Sequence, residues 1–324
     1  RGLTRQDPTS GLRVDINTPS AAMSRQETAS AEALDAIGAP TDPLRPDATL
    51  NLSDATATQD LWARIRRGYA LPELQSDLVA EHERWYASRP DYVQRMTDRG
   101  SRYLYHVVSE IQKRHMPTEL ALLPFVESAF NPHAVSTAQA SGLWQFIPST
   151  GRRYQLKSDA VRDERRNLEM STEAAVKYLK YLKEFQNNDW FLAMASYNAG
   201  EERVRKLLKE QKITDYWKMH GPRETMRYVP RIIAAKEIYS QPEKYLGLSK
   251  KDLYVPLETE TVTVYVKESQ RALTSIAEEY GTYFLELKML NPEFKKDVLP
   301  QGTYQIRVPR QTCPSRCFKQ AKTP

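Results

Sequence analysis

The stretch ALLPFVESAFNPHAVSTAQASGLWQF, residues 121–146, is the least polar long segment of a 324-residue chain in which 27% of the residues are charged. One carboxylate, Glu127, lies near its middle. From Pro117 onwards apolar residues occur on every side of a helical projection, which predicts a buried helix. Pro124 predicts a bend in it, and Asn131, which precedes a proline, predicts its end. Glu127 is therefore expected in the last turn of a buried helix.

An acid in that place is expected to favour its neutral form. Burial disfavours the ionised carboxylate, and the C-terminal end of a helix disfavours negative charge. A carboxylic acid that stays protonated near neutral pH is what a general acid requires. The alternative is that Glu127 only pairs with a basic residue, which is the commoner role of a buried acid.

Polar and aromatic residues in three later stretches change that balance. SGLWQF contains Trp144 and Gln145, SYNAG contains Tyr197 and Asn198, and RYVP contains Tyr228. Each of them alone is equally well explained by packing or by helix capping. Together with one acid they fit a sugar-binding cleft, because aromatic rings stack on sugar faces and amides bond hydroxyl and N-acetyl groups.

The chain divides into five segments. Residues 1–59 contain no Phe, Trp or Tyr and are predicted to form a low-complexity tether or coil, because they cannot bury enough apolar area to offset their ordering entropy. Residues 60–247 show helical patterning, and residues 248–258 are a linker. Residues 259–310 predict a small β-α-α-β unit, with strands over residues 261–266 and 302–308 among them. Residues 311–324 form a tail.

Several helices are specifically predicted within residues 60–247. Asp189 and Gly200 are expected to begin and end one of them, and residues 223–239 form another, with a kink at Pro230. Ser171 is the predicted N-cap of a further helix. Apolar residues recur at i, i+3, i+4 and i+7 in two stretches, namely Leu104, Val107, Val108 and Ile111, and Ala175, Tyr178, Leu179 and Leu182.

The formal charge of +6 is unevenly distributed. Residues 1–60 hold five Arg and no Lys against seven Asp and two Glu, a net charge of −4, so the rest carries +10. A basic body suits an anionic partner, but on charge alone a solvated surface is the preferred explanation. No basic run with interleaved aromatics of the nucleic-acid-binding type occurs, and no apolar run approaches the roughly 20 residues that span a bilayer.

Neither the cysteines nor the histidines predict a metal site. Cys313 and Cys317 have no nearby His and make a poor zinc site. The five histidines lack metal-ligand spacing; His133 lies near Glu127, where packing is its simplest role. No metal or cofactor is therefore predicted.

The stretches ALLPFVESAFNP, ASGLWQFIPSTGRRYQL, AMASYNAGEERV and ETMRYVPRIIA together resemble the lytic transglycosylases of bacterial peptidoglycan, in the order expected of that family. The resemblance covers about residues 60–247 and implies a mainly α, goose-lysozyme-like catalytic domain. It implies that Glu127 is the only catalytic carboxylate and that Tyr228 hydrogen-bonds it. The substrate-binding residues that it implies are Ser128, Ser136, Trp144, Gln145, Tyr197, Asn198 and Tyr228.

The β-α-α-β unit resembles a LysM peptidoglycan-binding module more loosely. Its ending, LNPEF followed by GTYQIRVP, is similar to that family. Its first turn, KESQRALT over residues 267–274, departs from the KxGDTL type. Two alternatives therefore stay open: the module binds glycan, or it only braces the catalytic domain.

The resemblance implies cleavage of the β-1,4 bond between N-acetylmuramic acid and N-acetylglucosamine, with a 1,6-anhydro product and glycan strands as the partner. Most glycosidases use two carboxylates, yet no Asp or Glu lies between Glu127 and Asp159. Asp163, Glu164 and Asp189 remain candidates for a second one. The alternatives are a lysozyme-type hydrolase of the same fold and a non-catalytic peptidoglycan-binding scaffold.

The same resemblance places the protein in the cell envelope. The substrate implies the periplasm of a Gram-negative bacterium. The family further implies an outer-membrane lipoprotein whose lipidated N-terminus precedes Arg1, with residues 1–59 as its tether.

Overall fold

A computed structural model describes residues 61–245 and 259–310 of the chain. The predicted tether over residues 1–59, the linker over residues 248–258, and the tail with Cys313 and Cys317 lie outside the described residues. None of the helices in the described ranges is long and apolar enough to span a membrane.

The first described range is a helical body. Its 3-10 helices cover Thr118–Leu122, Glu164–Arg166 and Tyr216–Lys218. Its α-helices are α1 Leu61–Arg67, α2 Asp77–Ala87, α3 Pro90–Gly100, α4 Leu104–Lys113, α5 Leu123–Ser128, α6 Pro148–Arg153, α7 Leu168–Phe185, α8 Trp190–Ala199, α9 Glu201–Gln211, α10 Arg223–Ser240 and α11 Pro242–Tyr245.

Side-chain caps explain where two of these helices begin. The Asp189 carboxylate accepts from the backbone amides of Phe191 and Leu192, and Gly200 follows the end of α8, so both predicted ends of that helix are confirmed. The predicted N-cap at Ser171 is wrong. Asn167 caps α7 instead, because its side-chain oxygen reaches the amide of Met170 and so satisfies one of the free N–H groups of the first turn.

The segment before Glu127 is not one unbroken α-helix. A 3-10 helix over Thr118–Leu122 gives way to α5, and Pro124 lies in the first turn of α5, where its missing N–H costs no helical hydrogen bond. All eleven residues of this segment are buried.

The end of α5 differs from the prediction. The helix stops at Ser128 instead of continuing to Asn131, because Ala129 and Phe130 both adopt left-handed conformations, with φ of 50° and 56°. Their amides donate to the Phe125 and Pro124 carbonyls, which closes the helix end. Glu127 still lies in the last turn, as expected.

The core of the body is built around α10. This helix packs against α2, α5, α8 and the Thr118–Leu122 turn. Tyr239 near its end stacks on Trp62 of α1, with ring centroids 4.1 Å apart, and Pro230 lies inside it. Each apolar position predicted in α4 and α7 is buried, which confirms those two helical patterns.

Residues 259–310 form the predicted β-α-α-β module. Strand β1 covers Thr259–Ala272, helices α12 and α13 cover Leu273–Glu279 and Phe284–Leu290, and β2 covers Val298–Pro309. The strands pair in antiparallel fashion and are longer than predicted. Residues 267–272, which belong to the first turn in the LysM pattern, continue β1 after a register shift that follows Val266.

The module has an apolar core of its own between its sheet and its helices. One face of β1, including Val264 and Val266, packs on this core, whereas Tyr265 on the opposite face is 64% exposed. Helix α13 also contacts the body, with Met289 fully buried in the core of the body.

Candidate active site

Glu127 lies in the interior of the body, with 1% of its surface exposed. The hydroxyl group of Tyr228 donates a hydrogen bond of 2.6 Å to its Oε2 atom. Tyr228 is fully buried and belongs to α10. The structure thus brings together an acid and a tyrosine that are 101 positions apart in the sequence, in the contact that the resemblance implies.

The turn after Glu127 is held from outside α5. The Arg99 guanidinium donates from Nε to the Ala129 carbonyl at 3.0 Å, and the Phe130 ring packs on the Phe125 ring with centroids 4.5 Å apart. Consecutive left-handed residues that are not glycine persist only where their surroundings hold them, so the backbone beside the acid is a fixed feature of the site.

Ser136 and Gln145 lie on one loop whose backbone folds back on itself. The Gln145 amide Nε2 donates to the carbonyls of Ala134 and Gly142, both at 2.8 Å. The Ser136 hydroxyl accepts from the Ala140 amide at 3.1 Å. Both side chains are buried, and their bonds fix the shape of the loop.

Gly142 is required at the tip of this loop. Its φ is +86°, and a Cβ atom there would lie 2.2 Å from the carbonyl oxygen of Arg165. The Arg165 guanidinium donates to the Gln139 and Phe146 carbonyls and pairs with Asp163 at 2.9 Å. The loop is therefore clamped by Arg165, whose backbone lies against Gly142 and whose guanidinium group bonds two loop carbonyls.

Ser128, Trp144 and Tyr197, which were predicted to bind substrate, are fully buried and make internal contacts. Ser128 donates to the Leu143 carbonyl at 2.9 Å, and Tyr197 donates to the Trp144 carbonyl at 2.5 Å. The Trp144 indole N–H donates to Thr172. In this geometry the Trp144 ring offers no free face to a sugar, and all three residues fasten the loop to α5, α7 and α8.

Asn198 has a neighbour that the sequence did not single out. Its Nδ2 donates to Glu224 at 3.3 Å, and its Oδ1 accepts from Thr225 at 2.9 Å. Glu224 is half-buried and lies four residues before Tyr228 on α10, so the two side chains share a helix face. The four-residue spacing of Glu224 and Tyr228 in ETMRY is the sequence feature that could have predicted this neighbour.

The other carboxylates that sequence left open have structural partners. Asp163 pairs with Arg165 and Arg166, Asp189 caps α8, and the Glu164 side chain accepts from the Lys157 amide. Each of these carboxylates is therefore bonded by residues that are close to it in the sequence.

His133 follows the turn and contacts the module. Burial, followed by the charges of Arg166 and Lys288, lowers the pKa of His133 to about 3, and the backbone of Lys288 opposes this shift. The imidazole is therefore neutral near neutral pH. Within the described ranges, no group of three or more His, Cys, Asp or Glu side chains is arranged to hold a metal ion.

Two family models match this chain. Residues 105–220 match the transglycosylase SLT domain, which contains the whole loop and Glu127 but ends before Tyr228. Residues 258–317 match the LysM-like domain of lytic transglycosylase MltD. The two matches correspond to most of the helical body and to the β-α-α-β module.

Curated relatives agree with these models. Membrane-bound lytic murein transglycosylase D of Escherichia coli K12 is 36% identical over 258 residues, which are 78% of this chain and 56% of the relative. A putative tributyltin chloride resistance protein of an Alteromonas species is 40% identical over 114 residues, 35% of this chain and 55% of the relative. Membrane-bound lytic murein transglycosylase C of Haemophilus influenzae is 28% identical over 196 residues, 56% of this chain and 51% of the relative.

The chain spans about half the length of the curated relatives it matches. Its two matched domains occur in the same order as its two folded units. On these grounds the chain belongs to the lytic transglycosylases that combine an SLT domain with an MltD-type LysM-like domain.

Proposed function

We propose that this chain is a peptidoglycan lytic transglycosylase with Glu127 as its catalytic acid and base. The observation that carries the proposal is the hydrogen bond from Tyr228 to the buried carboxyl group of Glu127. Membership of the family and the names of the curated relatives support the same activity.

In the proposed reaction Glu127 acts twice. It first protonates the oxygen that leaves C1 of N-acetylmuramic acid, and the N-acetyl group of the sugar stabilises the positive charge that develops at C1. The ionised Glu127 then accepts the proton of the C6 hydroxyl group as that oxygen attacks C1. A 1,6-anhydro end forms, and no water is consumed.

Tyr228 suits a residue that must gain and lose a proton. A hydroxyl donor stabilises the carboxylate once its proton has left, and it adds no positive charge that would keep the acid permanently ionised. We assign to Tyr228 the role of orienting the Oε2 atom of Glu127 and stabilising the charge that it acquires after the first proton transfer.

The remaining predicted residues fall into two proposed roles. Ser136, Gln145 and Asn198 line the substrate side of the site, since they lie on the clamped loop and beside Glu224. Ser128, Trp144 and Tyr197 support that loop through their buried contacts and act on the substrate only indirectly.

A hydrolase of the same fold is the second candidate function. The observation that favours it is Glu224, a half-buried carboxylate on the helix face of Tyr228. Such a group suits the activation of a water molecule, which an inverting or retaining glycosidase requires. We prefer the single-acid reaction because the contact of Glu224 with Asn198 is already part of the link between α8 and α10.

We place the activity in the cell envelope. The relatives are named membrane-bound murein transglycosylases, and glycan strands of peptidoglycan are the proposed partner. Anchoring to the outer membrane through a lipidated N-terminus remains part of this proposal, and labelling of the full-length precursor with a radioactive fatty acid tests it.

Product analysis tests the function. Purified peptidoglycan is digested with the protein, and the soluble muropeptides are weighed by mass spectrometry beside a lysozyme digest. Products lighter by one water, without a reducing end, are expected. Products with a reducing muramic end would establish the hydrolase, and sedimentation with peptidoglycan without any release would establish a binding scaffold.

A further inference from the structure

Helix α13 of the module lies against the body. Its Met289 side chain is fully buried in the core of the body, and Leu285 packs on that core. Glu286, three residues before Met289, forms an ion pair with Arg102 at 3.0 Å, and the two side chains are only 10% and 1% exposed. Two guanidinium nitrogens contact the carboxylate, so this is a buried bidentate pair that depends on both partners.

Tyr103 connects α13 to the turn beside the acid. Its hydroxyl group donates to the Met289 carbonyl at 2.7 Å. Its ring stacks on the Phe130 ring at a centroid distance of 6.1 Å and an interplanar angle of 10°. Phe130 packs in turn on Phe125, which lies two residues before Glu127. The module is therefore connected to α5 through the side chains of Tyr103 and Phe130.

The turn at the end of this chain of contacts needs support. Ala129 and Phe130 both occupy the left-handed region, where side chains with a Cβ atom clash with the backbone. Such conformations persist only where the surrounding structure holds them. The Arg99 contact holds Ala129, and the Tyr103 ring covers Phe130.

A second contact of α13 touches the segment that follows the turn. The backbone of Lys288 lies beside the imidazole ring of His133. His133 is located between the turn and Ser136, and its backbone amide donates to the Asn131 side chain. One short helix of the module thus contacts both Tyr103, whose ring covers Phe130 in the turn, and His133, which follows the turn.

We propose that the C-terminal module is a positioning element for the catalytic acid: through Tyr103, Glu286 and Met289, helix α13 holds the Ala129–Phe130 turn and so fixes Glu127 for proton transfer. This inference rests on the proposed transglycosylase function. It selects bracing over glycan binding as the role of the module. A displacement of about 1 Å at a reacting group can cost about a hundredfold in rate, so a small relaxation of the turn is sufficient.

The module also contacts the body at places that do not include the turn. Arg307 pairs with Glu169 of α7, and the Asn167 amide donates to Glu293 at 2.8 Å. These contacts offer a matched control, because a substitution there loosens the docking of the same module without removing a contact of α13 with Tyr103 or Arg102.

The test compares three variants of the full chain. Tyr103→Phe removes only the hydroxyl group that bonds the Met289 carbonyl and keeps the ring on Phe130. Glu286→Gln keeps the size of the side chain and removes its charge. Glu169→Gln is the control. For each variant the turnover at saturating peptidoglycan, the half-saturating concentration, the fraction that sediments with peptidoglycan, and the thermal unfolding temperature are measured.

The proposal predicts a fall in turnover of about threefold to tenfold for Tyr103→Phe and a larger one for Glu286→Gln, with unchanged half-saturation and sedimentation. Glu169→Gln should keep wild-type turnover. If Glu286→Gln does not fold, Tyr103→Phe alone decides. Unchanged turnover in Tyr103→Phe, or an equal fall in the control, would overturn the proposal, as would loss of sedimentation at constant turnover. Because the wild type is assayed alongside, an inactive wild type would count against the function itself.

Discussion

The segment from Thr118 to Ser128 contains two buried carboxylates that have different kinds of bonding partner. At its start, Glu119 accepts from the backbone amides of Ala70 and Leu71, each at 2.9 Å, and pairs with the Lys236 ammonium group at 2.9 Å. At its end, Glu127 accepts from the hydroxyl group of Tyr228 at 2.6 Å. Both are almost completely inaccessible to solvent.

The difference separates a structural acid from the acid that we propose as catalytic. The Glu119 carboxylate is bonded by two backbone amides and one ammonium group, so its contacts join separate parts of the body. A hydroxyl donor stabilises a carboxylate without the fixed positive charge that would oppose its reprotonation. Glu119 therefore fastens the segment that follows α1 to α10, whereas Glu127 suits the proton exchange that we propose for it.

The largest effect is expected when the proposed catalytic acid, Glu127, is neutralised. Glu127→Gln should lower the release of muropeptides about a thousandfold, as expected for the loss of a general acid. Its thermal unfolding temperature should stay close to that of the wild type, since the amide still accepts from Tyr228. Initial rates and thermal scans check both parts. A rate near that of the wild type would remove Glu127 from the mechanism.

The opposite result is expected for Glu119, namely a loss of stability without a loss of turnover. Lys236→Met leaves Glu119 buried without its cation and should cost about 3–5 kcal/mol of stability, measured by urea unfolding at neutral pH. The folded fraction should keep its turnover. Lys206→Met on the exposed face of α9 is the matched control, because Lys206 and Glu210 are well exposed and such pairs contribute little. Equal effects of the two substitutions would contradict the account.

A third buried carboxylate extends the comparison to the module. Burial raises the pKa of Glu293 to about 7, partly offset by hydrogen bonds that include the one from Asn167. The folded protein holds this proton above pH 4.5, where the unfolded chain has released it, so stability falls as the pH rises from about 5 through 7. Glu293→Gln should remove most of this decline, up to about 3 kcal/mol between pH 5 and 8.

Unfolding free energies of the wild type and Glu293→Gln at several pH values check this prediction. The two curves should lie close together near pH 5, diverge between pH 5 and 7, and stay apart above pH 7, with the variant more stable. Parallel curves over the whole range would show that the Glu293 carboxyl group is not held neutral at the contact between module and body.

The smallest expected effect concerns Glu224. If Glu127 serves alone, Glu224→Gln keeps the bond from Asn198 and should reduce turnover only a few-fold, as for one weakened hydrogen bond, with the same products. If Glu224 activates water, the loss should approach that of Glu127→Gln. Rates and product masses of the two variants, measured on the same peptidoglycan, distinguish a one-acid reaction from a two-acid reaction.

Local patterns were sufficient for much of the fold. The apolar spacing of α4 and α7, the cap at Asp189 and the β-α-α-β order are all found in the structure. These features depend on residues a few positions apart, which is the range over which sequence periodicity and capping are informative.

Features that depend on distant contacts were missed. The left-handed turn at Ala129 is stabilised by Arg99, and the complete burial of Trp144 follows from the helices around it. The proximity of Glu224 to Asn198 depends on how α8 meets α10. Nor does sequence distinguish Glu119 from Glu127, since the partners of Glu119 lie 48 to 117 positions away.

The central claim is that one carboxyl group closes a 1,6-anhydro ring without water. Digestion of purified peptidoglycan in water enriched in ¹⁸O, followed at short times by mass spectrometry, tests it most directly, with a lysozyme digest as the labelled control. The account predicts anhydro muropeptides without ¹⁸O. Muropeptides with ¹⁸O at C1 of the muramic end, formed as fast as the bond is cut, would contradict it and assign the reaction to water.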